Sequence, residues 1–254
     1  MTSARTVASF VAPLLACALL ACGNEPSGHP GSGGSGEIPD SGLDYALEFD
    51  GRDDYASTGT AGFPFPEAPQ SVSLFVKRRE QEGLRALVTL RKDRDSGLEV
   101  GLRDGKPVAI RTYDGSAFVE ATDPIPAETW AHVAYTFDRE RHRLYVDGEL
   151  VGEKELMPND RTPTTGWLGT LDGRQHLYDG LMDEVRVRNV LLSAEDVAGE
   201  AAGDAVGDAV NVVAYFNFDE GSGARAYDRS DRGNHASLGD GIPARAPSRV
   251  LSDR

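Results

Sequence analysis

The chain is poor in cysteine and in positive charge, and none of its apolar runs is long enough to span a bilayer. Its 254 residues include two cysteines, Cys17 and Cys22. Everything after position 22 therefore folds without an internal disulfide, and its stability must come from a packed core or a metal. Against 26 basic residues stand 41 acidic ones, for a net charge of −15. A body of that sign repels phosphate backbones and anionic headgroups, which argues against a nucleic-acid partner. The five histidines, His29, His132, His142, His176 and His235, show no metal-ligand spacing, and there is no zinc-protease or nucleophile-elbow motif. The longest apolar stretch, Val7 to Ala21, falls short of the roughly 20 residues a membrane span needs. Preceded by the single charge of Arg5, it reads as a secretory signal.

What the chain does have is alternation. Residues 23–41, GNEPSGHPGSGGSGEIPDS, offer almost nothing to a core and read as a flexible spacer. From Asp44 onward the pattern changes to period two. Leu47 and Phe49 alternate with Glu48 and Asp50, Val72 to Val76 with Ser71 and Ser73, and Leu98 to Leu102 with Glu99 and Gly101. Val133, Tyr135 and Phe137 continue the same rhythm. Such runs, punctuated by Gly, Asp and Pro, predict half-buried strands. Asp147-Gly148 between Leu144–Val146 and Glu149–Val151 predicts a tight hairpin, and Asp104-Gly105 and Asp114-Gly115 punctuate neighbouring strands in the same way. One helix is expected, capped by Ser193 with Asp196 three residues on, and burying Val197 and Ala201. Many short strands and one helix predict an all-β fold, an antiparallel two-sheet jelly-roll sandwich. The polar residues 243–254 are expected to form a flexible tail.

Two kinds of candidate site follow. Asp53 and Asp54 sit in a predicted turn, and Asp183 with Glu184 opens another strand. Ca²⁺ takes six to eight oxygens, which Asp-rich turns supply; the structural alternative is that these aspartates bond their own backbone. Trp167, Tyr178, Tyr113 and Phe118 lie near predicted loops, where they could stack on a glycan or simply pack on a sandwich edge.

Two resemblances extend this reading. Leu19-Leu20-Ala21-Cys22 resembles the lipobox of bacterial lipoproteins. That implies cleavage before Cys22, lipidation of its thiol and membrane attachment, the alternative being a secreted protein cut near Ala16 or Ala18. Gly23 after the cysteine, in place of Asp, leans toward the outer membrane in a bacterium with two membranes. Further on, Leu47 to Tyr55, Ser71 to Val76, Trp130 to Asp138, Leu144 to Gly148, Gly180 to Val187 and Leu192 to Asp196 resemble, in order and spacing, the laminin-G-like jelly rolls of the concanavalin A-type sandwiches. The resemblance implies that Asp54 and Asp183 share one calcium. Glu48, Asp50 and Asp53 are similar in spacing to the carboxylates of related glycoside hydrolases, but the third is Asp and no supporting motif follows. The segment Val213 to Gly223, with Asp228 and Gly233-Asn234-His235, is similar to a motif that often precedes the family's first strand; here it either closes the same sandwich or begins a truncated second copy.

The expected organisation is a signal over 1–21, a tether over 22–42, the jelly-roll domain over 43–242 and the tail over 243–254. The expected function is a non-enzymatic binding module anchored in the cell envelope, recognising a glycan or an envelope or extracellular protein. A structural or adhesive envelope component is the alternative, with glycoside hydrolysis remote.

Overall fold

A computed structural model describes residues 38–64, 66–93, 96–111, 118–155, 161–204 and 211–254. Cys22, the signal and most of the tether lie outside them. Strands are numbered in chain order. The first sheet contains β1 (Tyr45–Asp50), β3 (Gln70–Arg78), β8 (Trp130–Phe137), β9 (Arg141–Val146), β10 (Glu149–Glu155), β12 (Asp179–Arg188), β13 (Val212–Phe216) and β16 (Ser248–Leu251). The second contains β2 (Ala56–Thr58), β4 (Leu84–Asp93), β5 (Ser96–Arg103), β6 (Lys106–Ile110), β7 (Phe118–Glu120), β11 (Thr165–Leu168), β14 (Arg225–Ala226) and β15 (Ala236–Leu238). Every recorded pairing is antiparallel, and the first sheet runs β10-β9-β8-β3-β12-β1-β16, with β13 also on β12. The second runs β14-β15-β2-β11-β4-β5-β6-β7.

The period-two pattern is the cause of this layering. Leu47, Phe49, Val72, Leu74, Val133, Tyr135, Met182 and Val185 point inward from the first sheet, against Leu87, Leu90, Leu98, Val100 and Leu168 of the second. Each is almost fully buried, which contributes about 1.5–3 kcal/mol per large aliphatic or aromatic side chain. Two of the predicted hairpin turns form: Asp147 and Gly148 have φ of 48° and 84°, Asp104 and Gly105 of 51° and 78°, the left-handed values that a two-residue hairpin loop requires; Asp114-Gly115 lies outside the described residues.

Helix α1 spans Ala194–Ala201, with the Ser193–Asp196 capping box closed in both directions. It lies on the outer face of the first sheet, where Val197 and Leu192 pack on Ala134 and Tyr145. Ala201 is only partly buried, and Glu200 is the second residue that the helix buries. Among the described residues no helix is long and apolar enough to cross a membrane.

Residues 211–254 complete the sandwich. Strand β12 gives its first half to β1 and its second half to β13, and at the handover Glu184 has φ of 54° beside a bulge. The tail expected over 243–254 is instead structured, with β16 pairing along β1 from Tyr45↔Leu251 to Glu48↔Ser248. Its polarity is misleading because those polar groups find partners. Arg249 pairs with buried Glu220 at 3.0 Å and donates to the carbonyls of Gly223 and Arg225. Asp253 accepts from Lys77 and from the Trp130 indole, both at 2.7 Å.

Candidate functional site

At one end of the sandwich the chain passes between sheets after β1, after β3, between β7 and β8, between β11 and β12, and between β15 and β16. The first crossing carries the acids. Asp50 Oδ1 accepts from the backbone N–H of Arg52 at 2.8 Å and of Asp53 at 3.3 Å, while Asp54 Oδ2 accepts from the Asp50 N–H at 3.0 Å. The turn hinges on Gly51, at φ of 70°, where a Cβ would come within 2.8 Å of Asp179. Asp50, Asp53 and Asp54 thereby bring carboxylate oxygens within 4.8 Å of one another. Burial pushes Asp54 up to about 6, and the carboxylates of Asp50, Asp53 and Glu48 add to the rise. Asp50 goes the other way: against a burial cost, its backbone N–H donors hold it below the ordinary value. Oxygens on one Ca²⁺ sit 2.3–2.6 Å from the ion, so separations up to about 5 Å suit a shared cation. The donor set fits.

Asp183 is not part of this group. Strand register sets Asp50 opposite Asp179, so Asp183 stands four residues along, roughly 13 Å away at about 3.3 Å per residue. Fully buried, it accepts from the Glu184 N–H at 2.7 Å, from Arg254 Nε at 3.1 Å and from Ser252 Oγ at 3.3 Å. Burial lifts it to about 7 despite the pull of Arg254. The expectation that Asp54 and Asp183 share one calcium is overturned by this separation. The member missing from that expectation is Asp50, whose spacing to Asp53 and Asp54 (i, i+3, i+4 across an Asp-Gly turn) is the signal that could have found it.

Glu48, the first acid of the hydrolase-like spacing, lies among ion pairs. Glu48 pairs with Arg79, which holds Asp179 at 2.8 Å, and it accepts from Ser248 at 3.2 Å. These contacts make Glu48 a structural counter-ion beside β16.

The aromatic candidates separate equally clearly. Tyr178 is 1% exposed, packed edge-on to Phe49 at 6.0 Å, with its hydroxyl donating to the Leu181 carbonyl at 3.2 Å. Burial pushes its ionisation well above the ordinary range. It belongs to the core, so the expectation that it meets ligand is corrected. Tyr113 lies outside the described residues. Phe118 is partly exposed on β7, under the guanidinium of Arg103 and the ammonium of Lys154. Trp167 sits midway along β11 on the outer face of the second sheet, in a cross-strand row with Ser57 and Thr89. It is partly exposed, and its ring is held edge-on by Tyr55 at 5.6 Å. Tyr55 donates to Asp240 at 3.1 Å, and Ser57 donates to the other oxygen of the same carboxylate. Since Tyr55 directly follows Asp54, the acidic turn and the aromatic pair are neighbours in the chain. Tyr55 was not among the sequence candidates; its place next to the acidic turn was the available signal.

The laminin-G-like model described as the concanavalin A-like lectin/glucanases superfamily matches residues 50–198. The chain belongs to this superfamily. No curated protein matches the sequence. Among solved structures, a Bacteroides ovatus protein provisionally described as carbohydrate binding aligns with a TM-score of 0.65 and 16% identity, over 84% of this chain and 61% of that one. A heptameric SAP-like pentraxin from Limulus polyphemus aligns at 0.53 with 12% identity, over 84% and 93%. The CBM40 module of a Ruminococcus gnavus sialidase, bound to α2,3-sialyllactose, aligns at 0.50 with 11% identity, over 61% and 96%. At these identities the likeness is one of fold. The chain thus spans about three-fifths of the first of these proteins. Residues 211–251, which lie beyond the superfamily match, supply strands to both sheets.

Proposed function

We propose that this domain is a non-enzymatic glycan-binding module, displayed at the cell envelope by a lipid on Cys22. The observation that carries the reading is the partly exposed Trp167, held edge-on by Tyr55 and flanked by Ser57 and Asp240. An aromatic face supplies the stacking surface a pyranose ring needs, and the adjacent hydroxyls and carboxylate supply directional hydrogen bonds. The glycan-related descriptions of two structural neighbours agree with it. A calcium on Asp50, Asp53 and Asp54 would offset their mutual repulsion and hold the first crossing beside Tyr55.

Glycan-array binding by the intact protein tests the proposal. Trp167→Ala should abolish the signal while leaving the fold intact, since an edge-to-face pair is worth only about 0.5–1.5 kcal/mol. Full binding by that variant refutes this surface as the site. A stable protein complex recovered in detergent, with no glycan signal, would favour the scaffold role. Mass spectrometry of the native N-terminus tests the anchor: a diacylglyceryl-modified Cys22 is expected, and an unmodified N-terminus elsewhere refutes it.

A further inference from the structure

On the opposite face of the sandwich lies a cleft of about 200 Å³, between the last turn of α1 and the C-terminal residue. Phe75, Glu184, Arg186, Glu200, Asp204 and Arg254 line it, together with Gly203. Its charges are largely matched among themselves. Arg186 pairs with Glu184, Arg188 beneath the cleft pairs with Glu200 Oε1, and Arg254 pairs with Asp183 while lying 4.5 Å over the Phe75 ring. One acceptor is left over. Glu200 is 4% exposed, and its Oε2 has no hydrogen-bond partner. His132 Nε2 stands 3.9 Å from it, too far for a hydrogen bond, and the Nδ1 of that histidine is likewise unsatisfied and buried. Burial, with Arg186, Arg188 and Arg254 nearby, lowers His132 to about 4, so the imidazole is neutral near pH 7. An unmatched buried acceptor costs roughly 1–3 kcal/mol, and a donor entering the cleft would remove that cost.

We propose that this cleft is a second binding site, for a single neutral polyhydroxylated ring such as a terminal hexose unit. Its volume is below the roughly 300–1,000 Å³ of drug-sized pockets and admits one ring. A free anion would meet Glu184, Glu200 and Asp204, and the guanidiniums of Arg186, Arg188 and Arg254 are already engaged by carboxylates. A free cation would meet Arg186 and Arg254. A ring of hydroxyls brings donors for Glu200 Oε2 and acceptors for Arg254, with no net charge to compensate. The inference does not rest on the reading of Trp167, which lies on the other sheet.

Saturation-transfer NMR of the intact protein with methyl glucoside, galactoside and mannoside tests it, with glycine as a zwitterionic control. At least one glycoside should bind in the millimolar range, and glycine should not. Asp204 is exposed on the rim, so Asp204→Trp should block the cleft without disturbing the core. It should weaken binding at least about tenfold, the equivalent of one good hydrogen bond. Trp167→Ala should change binding less than about twofold, as expected of a distant, independent position. Absence of binding by all three glycosides, binding by glycine, or binding indifferent to Asp204→Trp overturns the proposal. Loss on Trp167→Ala alone assigns the sugar to the other face and also overturns it.

Discussion

Two groups of aspartate, roughly 13 Å apart along one strand pair by the usual strand rise, live under opposite conditions. Asp183 is fully buried and has recruited Arg254, Ser252 and a backbone N–H. Asp50, Asp53 and Asp54 sit at the rim, gather backbone N–H groups and leave three carboxylates facing one another. A buried acid must carry its counter-charge within the fold. A rim acid can share a counter-charge that arrives from solvent. The same residue type therefore serves as a fixed strut in one place and, in the other, as a crowded surface group for which we propose a shared cation.

The contrast can be broken most directly at Asp183. Asp183→Ala removes three hydrogen bonds and leaves Arg254 without its carboxylate, so it should cost about 3 kcal/mol in chemical denaturation. Asp53→Ala, at an exposed turn position, should cost under about 0.5 kcal/mol without calcium. Equal losses would erase the distinction. Calcium should act on the rim alone: at a hundredfold excess over its Kd it would stabilise the fold by about 2.7 kcal/mol, read as a rise in Tm that a chelator reverses. Asp50→Ala should abolish that rise and Asp183→Asn should keep it; the reverse pattern would return the metal to Asp183.

A smaller effect concerns pH. Asp54 titrates near 6 in the folded protein, against an ordinary value of 3.8. The folded state thus holds this proton more tightly than the unfolded chain does. Its contribution favours folding below the ordinary value and is lost as pH rises through about 4 to 6. Relative to Asp54→Asn, wild-type Tm in calcium-free buffer should decline across that window, and calcium should remove the decline. A constant difference between the two proteins would refute the assignment.

The strands, hairpins and capped helix were legible because each is a local pattern: alternation, Asp-Gly dipeptides, a Ser three residues ahead of an Asp. The acidic turn was half legible, with Asp53 and Asp54 read correctly as turn acids and Asp50 assigned elsewhere. Asp183 could not be placed from its own segment, since the groups that bury and satisfy it come from positions 252 and 254. The same applies to Tyr178, whose neighbour Phe49 is distant in sequence. The final strand was hidden because its polar side chains are matched by Glu220 and by carbonyls that no local pattern announces. Trp167 was singled out, but its support by Tyr55 depends on the pairing of β2 with β11.

Strand β1 has ladders on both edges, to β12 on one side and to the final strand β16 on the other. Tension arriving along the chain ahead of Ile38 would reach β1 first among the strands. It would have to work against two sets of backbone bonds, one to β12 and one to β16. The domain's grip under mechanical load is therefore complete only once β16, some 200 residues further along the chain, has joined β1.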